Sequence, residues 1–250
     1  MLTIIPISAF QDNYIWLIQH EREILCIDPG DAAPVIEYLR NHDLNLSQIW
    51  LTHHHHDHIG GVVELKKVFP ECVVFGNKDI SEVDKQVGEG DTVSFAGCEA
   101  AVWHVPGHTA THLAYLLKID EQMHVFCGDT LFSAGCGRVF TGTMEQLHAS
   151  LQRFASLSQN ALFYPAHEYT ASNLRFAAHV EPDNIHVSAA QVAAQNIPTL
   201  PVSLAHELKI NPFLRIEEPQ LIAQVEALLG AKLNNNIDVF TALREMKNTF

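Results

Sequence analysis

The sequence predicts an α/β protein, with two mixed β-sheets and helices outside them in a four-layered αβ/βα sandwich, followed by a helical C-terminal domain. Three observations point there. Between residues 2 and 163, short β-rich runs alternate with a few helical stretches, and each run is bounded by Gly, Pro, Asp or Asn. Some of these runs form hairpin-like pairs while others belong to strand–helix units, so both sheets should be mixed. After about Glu168 the β signal fades and helical periodicity takes over.

In chain order, strands are expected at 2–7, 14–19, 23–27, 48–51, 73–75, 92–95, 100–105, 113–117, 123–127 and 161–164, with helices at 33–41, 62–69 and 144–156. The C-terminal part carries helical patterns at 171–179, 188–195, 219–229 and 239–247, separated by Pro182, Pro198, Pro201, Pro212 and Gly230. The expected domains are therefore 1–170, α/β, and 171–250, helical. No internal repeat or low-complexity linker interrupts them.

At 250 residues and 47% hydrophobic, the chain is long enough to bury a full core. The start, Met1-Leu2-Thr3-Ile4-Ile5-Pro6, lacks the basic residues and long apolar run of an export signal, so a cytoplasmic location is expected. Five cysteines (Cys26, Cys72, Cys98, Cys127 and Cys136) without a C-x-x-C pair argue for reduced thiols rather than a disulfide framework. A formal charge of −14 argues against nucleic acid, whose phosphates need a basic surface, and favours a small substrate. Lys232, Arg244 and Lys247 are basic exceptions near the C-terminus.

The segment Thr52-His53-His54-His55-His56-Asp57-His58 packs imidazoles and a carboxylate into one turn. His53 and His55 alternate along an extended strand end and point the same way, and Asp57 and His58 follow as the chain turns toward Gly60-Gly61. An expression tag does not fit, because Asp57 breaks the run and the segment lies between an apolar strand and a helical stretch. His54 and His56, out of phase, read as supporting or packing groups. H-x-H-x-D-H is a metal-ligand spacing.

Three more strand ends carry ligand-capable side chains: His108 in Val105-Pro106-Gly107-His108-Thr109, Asp129 in Cys127-Gly128-Asp129-Thr130, and His167 in Tyr164-Pro165-Ala166-His167-Glu168. His53, His55 and His108 would make one site; Asp57, His58 and His167 would make a second; Asp129 could bridge the two ions. Open sites of imidazole and carboxylate are catalytic, whereas structural zinc sites are closed and thiolate-rich. Metal coordination lowers the pKa of bound water to about 7, which makes a bridging hydroxide available as nucleophile. Asp28 is a candidate acceptor for a ligand imidazole. His112 could serve similarly.

This ligand pattern resembles that of the metallo-β-lactamase superfamily, an αβ/βα sandwich with metals at one edge. Within it the chain is similar over nearly its whole length to the glyoxalase II, or hydroxyacylglutathione hydrolase, family. The resemblance rests on Asp12-Asn13-Tyr14, Ile27-Asp28-Pro29-Gly30, residues 52–61, Pro106-Gly107-His108-Thr109 and Gly128-Asp129-Thr130-Leu131-Phe132. It extends through Gly135-Cys136-Gly137-Arg138, His167-Glu168-Tyr169-Thr170, Asn173-Leu174-Arg175-Phe176-Ala177 and Asn211-Pro212-Phe213-Leu214-Arg215.

The resemblance implies hydrolysis of S-(2-hydroxyacyl)glutathione, such as S-D-lactoylglutathione, to glutathione and D-lactate, the second step of methylglyoxal detoxification. It implies two divalent metal ions, zinc first, with iron or manganese as alternatives. Asp57 and Asp129 are the expected catalytic carboxylates beside the hydroxide, and a monomer is expected. Arg138, Tyr169, Arg244 and Lys247 fall where the family binds the glutathione peptide. Two departures stand out: Arg138 replaces the Lys of some relatives, which permits a bidentate carboxylate contact, and Phe140 replaces a Tyr. Cys136 lacks a free base beside it and reads as loop packing rather than a nucleophile. Alternatives on the same metal motif are a β-lactamase, a nuclease and a di-iron oxidoreductase. The missing export signal, the acidic charge, and His55 in place of the Glu of H-x-E-x-D weigh against them respectively.

Overall fold

The computed structural model describes residues 2–250, which form two compact units: 2–105 with 111–128, and 106–110 with 129–250. The first begins with strands β1 (Thr3–Ala9), β2 (Asn13–His20) and β3 (Glu23–Ile27), helix α1 (Ala32–Asn41) and β4 (Asn45–Trp50). A short helix α2 (His56–Ile59), α3 (Val62–Val68), β5 (Val73–Gly76) and β6 (Lys85–Gln86) follow. These strands build one mixed sheet in chain order: β1, β2 and β3 pair antiparallel, and β3 to β6 run parallel. Parallel neighbours need a crossover, and α1 and α2–α3 supply it. Asp31 caps α1 by accepting from the Ala33 N–H, and Val35, Ile36 and Leu39 are buried on one face. They join Leu17, Ile24, Ile49, Leu51, Leu65 and Val74 in one core.

Strands β7 (Thr92–Phe95), β8 (Cys98–His104), β9 (Leu113–Ile119) and β10 (Gln122–Gly128) form an antiparallel run of the second sheet. Tyr115 on β9 links the sheets, its ring 5.1 Å from that of Trp50 and its buried hydroxyl donating to the Leu51 carbonyl at 2.8 Å. The C-terminal end of β4 is thus pinned just before the His-rich segment.

The second unit holds a two-residue hairpin, β11 (Leu131–Phe132) and β12 (Gly135–Cys136), then α4 (Met144–Ala155), β13 (Leu162–Pro165), α5 (Thr170–Val180) and α6 (Ile185–Ala193). After these come β14 (Val202–Ser203), α7 (Leu204–Ile210), a 3-10 turn (Pro212–Leu214), α8 (Pro219–Leu229) and α9 (Asn236–Thr249). Thr143 and Gln146 form a reciprocal capping box at α4, and Gly230 ends α8 in the left-handed conformation. Leu174, Ala177, Val187, Ala190 and Ile210 pack together with Ala134 of the hairpin turn.

Every strand and helix expected from the pattern is present. The helices expected at 188–195 and 239–247 begin earlier, at Ile185 and Asn236, because Asn184 and Asn235 cap them. The division expected after residue 170 differs from the breaks between the compact units. Residues 129–170 pack with the C-terminal helices, as where His148 of α4 lies 5.3 Å from Phe240 of α9.

Gly107 adopts φ +146°, and a Cβ there would lie 2.4 Å from Cα of Leu147 in α4. No side chain fits. Gly107→Ala is expected to destabilise the fold by at least about 2 kcal/mol, seen as a lower midpoint in urea denaturation; an unchanged midpoint would show that α4 yields.

Candidate metal centre

In the first unit the chain leaves β4 extended through Thr52 and His55 and then coils into α2, so the H-x-H-x-D-H segment spans a strand-to-helix turn. Asp28, just beyond β3 at φ 52°, organises it. One carboxylate oxygen accepts from the Thr52 N–H at 2.7 Å; the other accepts from the Thr52 hydroxyl at 2.7 Å and from His58 Nδ1 at 3.0 Å. His58 therefore carries its proton on Nδ1 and presents the Nε2 lone pair. The Thr52 hydroxyl, having donated to Asp28, accepts from His53 Nδ1 at 3.0 Å, which leaves Nε2 of His53 as a donor atom for a metal.

That nitrogen faces His55 Nδ1 at 3.0 Å, and His58 Nε2 lies 3.7 Å from Asp57 Oδ2. The segment thus offers two pairs of metal donors. Asn13 steadies Asp57, donating to Oδ2 at 3.3 Å. The His112 ring is stacked on that of His53 at 4.6 Å, while His54 turns away to Asp79 at 3.1 Å and His56 is exposed.

The second unit carries His108, Asp129 and His167. Asp129, buried, directs its two oxygens at two imidazoles: Oδ2 lies 3.5 Å from His108 Nε2, and Oδ1 lies 3.4 Å from His167 Nε2. The Asp129 carboxylate thus lies between two imidazoles of its own unit and would be a ligand if metal is bound. His108 Nδ1 is 2.8 Å from the Arg138 carbonyl, which can only accept, so the proton sits on Nδ1 and Nε2 is free to ligate. Gly137 permits this fold-back, since a Cβ there would lie 2.0 Å from the Asp129 carbonyl. His167 is held by aromatic rings, stacked on Tyr169 at 4.7 Å and edge-on to Phe132 at 5.8 Å.

Between Asp129 and Arg138 lies the β11–β12 hairpin, too short to stand alone. Side chains from the helices hold its main chain. Asn211 donates to the carbonyls of Phe132 at 3.1 Å and Gly135 at 2.9 Å, and Asn173 donates to that of Ser133 at 3.0 Å. Arg244 of α9 donates from Nη1 to Cys136 O at 2.7 Å and Gly137 O at 3.3 Å. Glu207, fully buried, accepts from the Ser133 hydroxyl and the Ala134 N–H, and burial pushes its carboxyl up to about 7.

The sequence-expected substrate residues are all in this unit. Arg138 is exposed, its guanidinium 6.0 Å from the exposed Phe140 ring, which lies edge-on to His108. Arg244 is buried over the Phe213 ring, and its Nε has no acceptor among the described residues. Lys247 lies 5.7 Å from the rings of Phe176 and Phe250; burial and the guanidinium groups of Arg244 and Arg175 lower its ammonium pKa. Nη1 of Arg244 is committed to the loop. Lys232 pairs with Glu226 on the surface. Cys136 is buried, and burial pushes its thiol up to about 11, which leaves no thiolate for nucleophilic attack. Asn173, Glu207 and Asn211 escaped sequence reading as site residues because their partners in the hairpin are distant in the chain.

Residues 168–250 match the hydroxyacylglutathione hydrolase C-terminus and residues 10–96 the metallo-beta-lactamase superfamily. The hydroxyacylglutathione hydrolase of Neisseria meningitidis serogroup A is 53% identical over 249 residues, covering 100% of both chains, and that of Vibrio cholerae O395 is 48% identical over 258 residues, again covering 100% of both. The chain belongs to the hydroxyacylglutathione hydrolase family. Among solved structures, ETHE1 from Myxococcus xanthus superposes with a TM-score of 0.67 at 25% identity, covering 100% of this chain and 99% of that one. TTHA1623 in a di-iron-bound form superposes at 0.60 with 23% identity, over 85% of this chain and 100% of that one. These likenesses establish the metallo-β-lactamase fold.

Because Asp28 fixes both Thr52 and His58, Asp28→Asn should place an amide N–H against a ring N–H and weaken metal affinity by roughly 10- to 100-fold. Chelator competition measures this; wild-type affinity in the variant would refute the orienting role.

Proposed function

We propose that the chain hydrolyses the thioester of S-D-lactoylglutathione and related S-(2-hydroxyacyl)glutathiones, releasing glutathione and a 2-hydroxy acid, the second step of methylglyoxal detoxification. The observation that carries the reading is the pairing of a complete imidazole and carboxylate donor set with a basic cluster in an acidic chain. Five imidazoles and two carboxylates, with no thiolate among them, suit zinc, iron or manganese, and we assign zinc first. The donor set suits two ions: His53, His55, Asp57 and His58 of the first unit would serve as ligands, as would His108, Asp129 and His167 of the second. When bound, such ions supply a hydroxide at neutral pH and polarise the thioester carbonyl.

The protein's own groups do the rest. Asp28, Thr52 and the Arg138 carbonyl hold the ring protons on Nδ1 of His58, His53 and His108, so each Nε2 faces the centre without reorganisation. Asn13 keeps Asp57 turned toward the reacting region. The thiolate leaves readily, so no general acid is required. Arg138 and Lys247, backed by the buried charge of Arg244, offer positive charge to the carboxylates of the glutathione peptide, and Tyr169 offers a hydroxyl. Arg138 can take a carboxylate bidentately, and Phe140 offers a ring face where a hydroxyl would otherwise add a polar contact.

No described helix is long and apolar enough to cross a membrane, and no disulfide joins the five cysteines. Reduced thiols suit a reducing compartment, and we place the enzyme in the cytoplasm as a monomer.

Loss of thioester absorbance with S-D-lactoylglutathione, run beside a simple thioester lacking the peptide and a β-lactam, tests the assignment. The glutathione thioester should be hydrolysed far faster than either. Equal rates on the two thioesters would mean a general thioesterase, and β-lactam turnover would move the chain to another branch of the superfamily. Lys247→Ala should raise KM roughly tenfold or more, the worth of one charged hydrogen bond, with little change in kcat. A fall in kcat at unchanged KM would remove Lys247 from substrate binding.

A further inference from the structure

Glu207 lies on α7, away from every ligand and substrate position in the sequence, and its side chain is wholly buried. Its oxygens accept from Ser133 Oγ at 2.9 Å, Ala134 N at 2.8 Å and Asn211 Nδ2 at 3.0 Å, and no salt bridge offsets it among the described residues. A buried carboxylate is costly, and an apolar residue of similar size would fill the space without that penalty. It would leave the Ala134 N–H and the Ser133 hydroxyl unmet. Ala134 adopts φ 54°, a conformation alanine takes reluctantly, so the turn is held from outside rather than by its own sequence.

The turn joins two strands, each attached to part of the metal centre. Leu131 pairs with Cys136 and Phe132 with Gly135, and the Gly137 N–H donates to Thr130 O at 3.2 Å. Upstream the chain reaches Asp129 through Thr130 alone; downstream it reaches Arg138, whose carbonyl sets the ring of His108. We propose that Glu207 is a positioning residue of the hydrolytic site, fixing the Ser133–Ala134 turn and through it the placement of Asp129 and His108. The proposal rests on the metal-hydrolase reading. Asn211 acts with it, since the same amide nitrogen that Glu207 accepts from also donates to both hairpin carbonyls. The ring of His206 precedes Glu207 in α7, and its own pKa is lowered chiefly by burial.

The test uses the full chain as wild type, Glu207→Gln, and Val225→Ala as a control that opens a cavity under the buried Val225 of α8. Zn(II) affinity is measured by chelator competition, kcat and KM are measured with metal in excess, and thermal unfolding is followed for each. Glu207→Gln keeps the shape but turns one acceptor into a donor. It should bind Zn(II) about tenfold or more weakly and lose kcat, whereas Val225→Ala should lose thermal stability and bind Zn(II) like wild type. Wild-type Zn(II) affinity and kcat in Glu207→Gln would overturn the positioning role, as would an equal loss of affinity in Val225→Ala. Should Glu207→Gln not fold, Ser133→Ala removes one of the three donors and should weaken Zn(II) binding to a lesser degree; unchanged affinity there also overturns the role. A wild-type protein that binds no Zn(II) would remove the metal reading itself, a result distinct from wild-type binding with an unaffected variant.

Discussion

The candidate metal donors follow strand ends, on loops and in the short helix α2, and main-chain groups buried there must find hydrogen-bond partners. Much of the site follows from that constraint. In the first unit Asp28 meets it, taking the Thr52 N–H on one oxygen and the Thr52 hydroxyl and His58 ring on the other. Satisfying the loop and setting the ligand proton are thus one act. In the second unit the Arg138 carbonyl does the same, for it needs a donor and His108 supplies one. A ligand oriented by groups that are themselves fixed needs no reorganisation when charge develops, and this separates a catalytic centre from a cluster of imidazoles.

The hairpin 131–136 carries the constraint further. Its strands have two residues each, so its stability comes from the side chains of Asn173, Glu207, Asn211 and Arg244 on the surrounding helices. The C-terminal helices therefore do more than offer positive charge to a substrate. They complete the loop that begins at Asp129 and ends at Arg138, which explains physically why residues 129–170 and those helices form one compact unit.

The candidate metal donors could be named from the sequence because their spacing is local: His53 to His58 lie within one turn, and His108, Asp129 and His167 each end a β run beside Gly or Pro. Strands and helices were legible from periodicity, with ends set by caps such as Asn184 and Asn235 that only shift a boundary. Glu207 was not legible. Within α7 it reads as an ordinary helical glutamate, and its partners, 73 and 74 residues earlier, leave no trace in the local pattern. Two-residue strands such as β11 and β14 likewise fall below any period a sequence can display.

Arg244 shows why a residue's role cannot be divided by sequence position. Family resemblance places it against the substrate peptide, yet Nη1 is spent on the carbonyls of Cys136 and Gly137. Carbonyls satisfy its hydrogens but not its charge. A guanidinium that is buried, lacks an acceptor for Nε, and has Arg175 and Lys247 nearby raises the local potential in a chain whose formal charge is −14. Surface charges beyond about 8 Å are screened at physiological salt, so the potential at this cluster is set by these cations rather than by the net charge. The same guanidinium holds the main chain at Cys136 and Gly137, so the cationic cluster and the loop between Asp129 and Arg138 are joined by a few main-chain hydrogen bonds.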